Sequence, residues 1–252
     1  MPLRTVMNYQ YRYGTTTSEA ICILYSDGGL TRYYHGLVAA LIQGPVVRFG
    51  DTAANIGILT LFQTAIYLKD LPALAKTIFA SIVAAGFRAI FTPVDTIKTL
   101  MQTRGSKGLP ILQHRIQQYG IGTLWYGAFA TAATGFVGHY PVAYPITQWF
   151  GTYNYLEINL PESHTLVEKL LRHALIGFVA SAVSDSVSNS LRVVKTYCQV
   201  NETRIDYFEA ARAVIAVDGI KGLLGRGLKT RILANGLQGL IFSVLWKVFQ
   251  DV

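Results

Sequence analysis

Charged side chains are scarce in this sequence. Asp, Glu, Lys and Arg make up 14% of the 252 residues, whereas a soluble domain averages about 25%. No charged residue occurs from residue 117 to residue 156, and residues 52–68 form a shorter gap of the same kind. A membrane span needs roughly 20 mostly apolar residues, and 51% of the chain is hydrophobic. The composition therefore favours a polytopic membrane protein, with helices around a polar interior, over a large soluble helical core.

Cysteine is also rare, and the two copies, Cys22 and Cys198, lie far apart without metal-ligand spacing. The sequence therefore predicts free thiols, no disulfide framework and no zinc site. It lacks a GxSxG elbow, an HExxH pair and a phosphate-binding P-loop. We expect no enzyme activity, no metal and no cofactor. The net charge is +8, but the basic residues form neither one run nor one helix face, so no nucleic-acid partner is predicted.

What the sequence does contain is an internal repeat. The motif Pro-x-Asp-x-x-Lys occurs intact at residues 93–98, and degenerate copies begin at Pro2 and at Ser190. Each copy leads through an amphipathic segment to a glycine-rich turn. The turns end at Gly36, Gly127 and Gly227. Repetition at a near-constant interval indicates one supersecondary unit that is used several times. We divide the single domain 1–252 into repeat 1 (1–70), repeat 2 (71–160) and repeat 3 (161–252).

This arrangement resembles the mitochondrial carrier family, whose signature is Pro-x-acid-x-x-base and then, further on, an acid-Gly step, an aromatic-basic pair and Gly. The resemblance implies an all-α membrane protein, a pseudo-threefold six-helix barrel with short helices on the matrix side. The sequence supplies five full spans, at about 37–68, 72–101, 127–156, 167–198 and 228–249. Since the first motif begins at residue 2, most of helix 1 is missing. We expect a truncated gene model or a fragment rather than a five-helix carrier.

The placement of basic residues predicts the topology. Segments 1–36, 92–127 and 190–231 hold 15 of the 22 Lys and Arg residues, and such residues accumulate in loops that do not cross the membrane. The motif side is therefore the positive side, which matches the matrix face of the family. The resemblance implies a multi-pass protein of the mitochondrial inner membrane.

The resemblance assigns the motif charges to a gate. In the family, these charges form a ring of interhelical ion pairs that closes the cavity on the matrix side. On this pattern Asp95 would pair with Lys195, Arg4 would face Lys98, and Arg192 would face the uncharged Met7. Buried ion pairs contribute little net stability, which suits a gate that must open. The predicted matrix gate consists of Asp95, Lys98, Lys195, Arg4 and Arg192, braced by Gln102 and Gln199.

Polar residues past the glycine turns are candidates for the cavity wall, because polar groups at membrane depth usually face a cavity or one another. Two turns past each glycine lie Gln43, Thr134 with its neighbour Gly135, and Ala234 with its neighbour Asn235. About 18 Å along the helix from Gly36 and Gly127 lie Arg48 and His139, and the stripe of Gln43 continues with Asp51 and Asn55. Further lining candidates are Arg88, Asp185, Ser186, Asn189 and Gln238. An Arg48–Asp51 pair that only aids packing, and a His139 that only packs, are equally compatible with the sequence.

The glycine-rich turns have a second possible role. Helix N-termini bind phosphate groups through their backbone N–H groups, and the family seats cardiolipin at such turns. The resemblance therefore implies lipid contacts at Gly28, Gly36, Gly120, Gly127, Gly219 and Gly227. A tight turn that requires glycine is compatible with the same residues.

Two functions follow from the resemblance. The first is transport of a small polar metabolite across the mitochondrial inner membrane by alternating access, as an antiporter or a uniporter. Because Arg48 and Asp51 bring both signs of charge to the cavity, a zwitterion or an anion fits better than a simple cation. The second is a carrier-fold structural or accessory subunit that does not transport and binds a membrane-complex partner. The lost gate charges favour this alternative.

Overall fold

The computed structural model describes residues 1–64, 73–139, 155–156, 158–161 and 166–238. These ranges are helical and contain no strand, so the all-α class is confirmed. The helices are α1 (Pro2–Tyr13), α2 (Thr17–Ser26), α3 (Gly29–Arg32), α4 (Leu37–Thr64), α5 (Ala73–Ile90), α6 (Thr92–Arg104), α7 (Gly108–Tyr119), α8 (Ala128–His139), α9 (Leu166–Val200), α10 (Tyr207–Gly225) and α11 (228–238). Short 3₁₀ helices span Gly105–Lys107 and Ile121–Trp125.

Within the described ranges, no helix combines the length and the hydropathy of a membrane span. The number of spans therefore stays a prediction.

The three copies of the motif lie on α1, α6 and α9, which we call the motif helices. In repeat 2, α5 ends at Ile90 and α6 starts at Thr92, with Pro93 in its first turn. Proline suits a first turn because the N–H that it lacks would have no helical partner there. Ser190 replaces proline in repeat 3, and α9 runs from Leu166 to Val200 without interruption. The proline therefore marks a helix boundary in repeat 2.

Capping side chains start two of the surface helices between the motif and the turn. Thr16 and Glu19 form a capping box at the start of α2, and Asp206 and Glu209 form another at the start of α10. Each box satisfies two backbone N–H groups that a helix start leaves without partners. In repeat 2 the surface helix α7 follows a 3₁₀ turn and has no side-chain cap.

Small apolar clusters hold the surface helices against the motif helices, and the motif helices contact one another. The clusters are Val6, Ala20, Leu24 and Tyr33; Met7, Tyr11, Val193 and Val214; and Leu100, Leu112 and Val200. The second joins α1 to α9 and α10, and the third joins α6 to α7 and α9. Packing between repeats therefore fixes where the motif charges meet.

Candidate functional site

The acid of the intact motif, Asp95 on α6, contacts α9. The Asp95 carboxylate is 7% exposed, and its Oδ2 atom lies 2.6 Å from the Lys195 ammonium of α9. This is the contact that the repeat predicts. Its other oxygen, Oδ1, lies 2.7 Å from the Lys98 ammonium one turn along α6. One carboxylate thus holds two lysines, one within its own helix and one in the next repeat.

Two amides complete the surroundings of this carboxylate. Gln199 donates from Nε2 to Asp95 Oδ2 at 3.4 Å and to Thr96 Oγ1 at 3.3 Å. Gln43 donates from Nε2 to Asp95 Oδ1 at 2.8 Å, and its Oε1 accepts from the Lys98 ammonium. We call Asp95, Lys98, Lys195, Gln43 and Gln199 the gate cluster. Gln43, expected on the cavity wall, lies in this cluster, because its long amide reaches α6.

Among the described side chains, the other two charged positions of the predicted gate, Arg4 and Arg192, form no ion pair of this kind. Arg4, which the family resemblance sets opposite Lys98, is exposed. Arg192 donates from Nε to Ser188 Oγ in its own helix at 3.4 Å. Lys98 contacts Asp95 and Gln43 instead of Arg4.

Motif helices α1 and α6 are joined by an amide contact instead. Gln102, a predicted gate brace, is buried and accepts from Asn8 Nδ2. The contact between repeats 1 and 2 at this level therefore involves neutral groups. Neutral contacts are weaker than charge-assisted ones, so the contacts between the three motif helices are unequal in strength.

A second polar cluster lies between α9 and α11. The Asp185 carboxylate is 7% exposed, and its Oδ1 lies 2.6 Å from Arg231 Nε. Its Oδ2 accepts from Asn235 Nδ2. Asn235 is a predicted cavity residue, whereas Arg231 was not predicted. Asp185 precedes Arg192 by two helical turns on α9, so both side chains lie on one face of that helix.

The remaining cavity candidates lie in different surroundings. Thr134 is buried and donates to Ala130 O of its own helix, and buried Asn189 donates to the carbonyls of Leu224 and Arg226. Thr134 therefore has its partner within its own helix, and Asn189 has its partners at the end of α10. Arg48, Ser186 and Gln238 are exposed, and Arg88 is half-buried. The side chains of Asp51, Asn55 and His139, and the surroundings of Gly135, lie outside the described part of the structure.

Three buried arginines, none of them predicted, tie the repeats together in a cycle. Arg32 of repeat 1 donates to the carbonyls of Gln102 and Thr103, at the end of α6, at 2.9 Å each. In repeat 2, Arg115 donates to Gln199 O near the end of α9 at 2.7 Å. Arg226 of repeat 3 donates to the carbonyls of Tyr11 and Arg12, at the end of α1, at 3.4 and 3.2 Å. Each arginine thus caps the motif helix of the next repeat, where carbonyls lack helical partners.

Two of these arginines have an acid partner. Arg32 Nε lies 2.7 Å from Asp27, and Arg226 Nη2 lies 2.6 Å from Asp218. Tyr119 stands before Gly120 where the other repeats have Asp before Gly. In the described ranges Arg115 has no carboxylate partner, and its Nε and Nη2 atoms have no hydrogen-bond partner. Burial lowers the pKa of the Arg115 guanidinium accordingly.

The missing acid of repeat 2 leads to a prediction. Tyr119→Asp should give a more stable protein than Tyr119→Asn, by about 1 kcal/mol, because a charge-assisted hydrogen bond contributes about 1.5–3 kcal/mol. An acid at the end of α7 costs about 0.3–1 kcal/mol against the helix dipole, which the gain exceeds. Thermal melts of the two variants in detergent measure the difference. In an Arg115→Gln background the order should reverse, and an unchanged order would show that residue 119 does not meet Arg115.

The turn glycines are required by the backbone and by close packing. Gly36, Gly127 and Gly227 have φ values of 80°, 96° and 66°, which other residues adopt at a cost. A Cβ at Gly227 would lie 2.7 Å from the Tyr11 ring, and one at Gly127 would lie 3.0 Å from Gln199. These contacts explain the glycines without a ligand. The lipid contacts at all six turn glycines stay a prediction.

One protein family has a model that matches most of this chain. The family is described as mitochondrial carrier protein, and its model matches residues 69–145 and 167–252. No individual curated protein matches the chain. The matched ranges include the gate cluster except Gln43, and they include Arg115 and Arg226.

Proposed function

Because the chain belongs to the mitochondrial carrier family, we propose that it carries a small polar solute across the mitochondrial inner membrane by alternating access. Members of this family transport solutes across mitochondrial membranes. The observation that supports the proposal for this chain is the Asp95–Lys195 contact, which joins two motif helices of different repeats. A contact of this kind closes one end of a cavity when it forms and opens that end when it breaks.

The gate cluster has the chemistry of a reversible latch. Asp95 and Lys195 are both largely buried, with side chains 7% and 17% exposed. Desolvation of the two charges offsets much of their attraction, so a buried pair contributes little net stability. When the helices separate, water replaces the lost partners. Gln43 and Gln199 stay hydrogen-bonded to one partner or to water, so the opening of the cluster strands no buried charge.

A charge exchange tests the latch. Asp95→Lys should reduce uptake at least tenfold, because the third lysine repels the other two, and the double variant Asp95→Lys with Lys195→Asp should partly restore it. Recovery is partial because Lys98 then lies beside a lysine. The readout is uptake by proteoliposomes that contain the full chain, with a panel of amino acids, carboxylates and nucleotides. The two single losses and the double loss form a cycle that isolates the pair.

The control for this cycle is an exposed ion pair. Arg104 of α6 lies 3.3 Å from Glu202, and the Glu202 side chain is 65% exposed. Exposed pairs contribute about 0–1 kcal/mol, so exchange of these two charges should leave uptake unchanged. Additive losses at Asp95 and Lys195, with no recovery in the double variant, would mean that the contact has no part in transport.

A non-transporting structural or accessory subunit is the second candidate. The observation that favours it is that Arg4 and Arg192 occupy two of the three acid positions of the motif, so one interhelical latch is present where the family has three. The same uptake panel separates the two candidates. Absence of uptake by the wild type, with every class of compound, would favour the subunit.

The predicted topology can be tested with a natural thiol. Cys22 on the surface helix α2 is exposed and Cys198 is buried. If the motif side faces the matrix, a membrane-impermeant maleimide should label Cys22 in inverted inner-membrane vesicles and leave it unlabelled in intact mitoplasts. The Cys22→Ser variant is the negative control for labelling. Labelling of Cys22 in intact mitoplasts would reverse the topology.

A further inference from the structure

Three junctions join the motif helices, and the junction between α1 and α9 lacks the basic residue of a motif ion pair. Asp95 and Lys195 join α6 to α9, and the amide contact of Gln102 joins α1 to α6. At the third junction, Met7 stands at the basic position of the repeat 1 motif and belongs to the apolar cluster between α1 and α9. Burial of apolar surface is non-directional, so this cluster alone does not fix how the two helix ends meet.

A charged side chain of α1 crosses this junction closer to the helix ends. Arg12 lies in the last turn of α1, and its guanidinium carbon is 3.9 Å from the centroid of the Tyr197 ring on α9. Its Nη2 atom donates to Asn201 Oδ1, directly after the end of α9, at 2.9 Å. One arginine therefore makes two contacts with the motif helix of repeat 3. We call Arg12, Tyr197 and Asn201 the end cluster.

The two residues on the α9 side of the end cluster are held by their own neighbours. The Tyr197 ring packs against the apolar cluster between α1 and α9. Asn201 donates from Nδ2 to the carbonyl and to the hydroxyl of Thr203, at 3.1 Å each, and this orients its Oδ1 atom toward Arg12. Partners that are already ordered lose little freedom when a contact forms. The ring and the amide therefore offer Arg12 a fixed seat.

The end cluster also carries a cost, which makes the contact reversible. Arg12 Nε is buried and has no hydrogen-bond partner among the described residues. A buried donor without a partner costs free energy, and water satisfies that donor when the helices separate. The closed form gains a cation–π contact and a hydrogen bond from a charged donor. These opposing effects keep the contact breakable.

The end cluster and the gate cluster lie at different depths along α9. From Lys195 to Val200 the helix advances by about 8 Å, so Asn201 lies well past the gate cluster, toward the ends of the motif helices. The two clusters also act on different junctions, since the gate cluster joins α6 to α9. Loss of the end cluster therefore leaves the Asp95–Lys195 contact in place.

We propose that Arg12 is a gating residue: its contacts with Tyr197 and Asn201 hold repeats 1 and 3 together in the closed form and break when the motif side opens. This inference rests on the proposed alternating access. It adds a polar closure at the junction where the motif of repeat 1 has Met7. Arg12 is a positioning residue, because it sets the closed position of α1 through α9.

Distances between spin labels on the surface helices test the gating role without any solute. The full chain carries Cys22→Ser, with labels on Ser18→Cys in α2 and Arg212→Cys in α10, both exposed positions. Cys198 is buried, and the chain with Cys22→Ser alone measures any label that it takes up. In lipid nanodiscs, Arg12→Gln should raise the ratio of long to short distances about tenfold, because it removes a cation–π contact and a charge-assisted hydrogen bond. Double electron–electron resonance measures this ratio.

Variants of the ring separate the cation–π contact from simple packing. Tyr197→Phe keeps an aromatic face for the guanidinium, so it should keep the wild-type distances. Tyr197→Leu removes that face and should lengthen the distances, and adding Arg12→Gln to it should lengthen them by less than the sum of the two single effects. The matched control is Lys221→Gln, which removes a positive charge from an exposed position on α10 and should leave the distances unchanged.

A static tether would give a different result. Arg12→Gln would then lower Tm in detergent and leave the label distances of the wild type, which would overturn the gating role. If Arg12→Gln does not fold, Tyr197→Leu decides the question by the same measurement.

The remaining outcomes separate this inference from the proposed function. Uptake by wild-type proteoliposomes, together with unchanged distances in Arg12→Gln and Tyr197→Leu, would overturn the gating role and leave transport standing. Longer distances in both variants, without uptake of any compound by the wild type, would support the role of Arg12 in closure and favour the accessory subunit over the transporter.

Discussion

Arg226→Met should lower the free energy of unfolding by about 3–5 kcal/mol, the cost of removing one partner from a buried ion pair. The Arg226 side chain is 4% exposed, and its loss strands Asp218 and two carbonyls at the end of α1. Because Asp218 is 31% exposed, water recovers part of the loss, and we expect the lower end of the range. For a chain of this length, about 3 kcal/mol corresponds to a fall in Tm of about 6–12 °C.

Two further variants isolate the cause of this effect. Arg212→Met removes an exposed arginine from α10 and should change stability by less than about 0.5 kcal/mol. Arg226→Lys keeps the charge but loses the guanidinium fork, which contacts the acid and the carbonyls together. Its stability should therefore lie between those of Arg226→Met and Arg212→Met. Thermal melts in detergent measure the three stabilities. Equal stability of Arg226→Met and Arg212→Met would mean that Arg226 does not connect repeats 3 and 1.

The second large effect is expected at Asp185. Asp185→Asn should lower stability by about 3 kcal/mol or more, because the largely buried Arg231 loses the counter-charge that lies 2.6 Å from its Nε atom. Asp185→Asn with Arg231→Gln should recover at least half of the loss, since the double variant removes one charge of each sign. Melts of the wild type, both single variants and the double variant provide the coupling energy.

Glu202→Gln is the control for Asp185→Asn, because Glu202 is an acid whose side chain is 65% exposed. It should melt as the wild type does, within about 0.5 kcal/mol. If Asp185→Asn melts at the wild-type temperature, the contact between Asp185 and Arg231 does not contribute to the stability of the fold.

The repeat, together with the family pattern that it resembles, predicted the contact that joins α6 to α9. Asp95 and Lys195 could be paired from sequence because each occupies a fixed position in its motif, and the position of Gln199 follows from the same register. The all-helical class followed from the resemblance to the carrier family that the repeat carries. These features depend on local pattern, which a sequence displays directly.

Contacts that depend on how far a side chain extends from one helix to another could not be predicted from local pattern. A count along α4 places Gln43 on the cavity wall, yet its amide extends to Asp95 and Lys98. The three capping arginines stand at different distances from their glycines: Arg226 directly precedes Gly227, Arg32 lies four residues before Gly36, and Arg115 lies on α7. No single motif describes them, because tertiary packing alone brings them to equivalent places.

The cycle of arginine contacts has a consequence for the order in which the protein folds. Arg32 reaches α6 across about 70 residues and Arg115 reaches α9 across 84, but Arg226 reaches α1 across 214 and 215 residues. Loop-closure entropy must be overcome before such distant contacts are formed. During synthesis, the carbonyls at the end of α1 can therefore gain this contact only after residue 226 has been added to the chain. A nascent chain that stops before residue 226 has two of the three junctions and an unclosed ring.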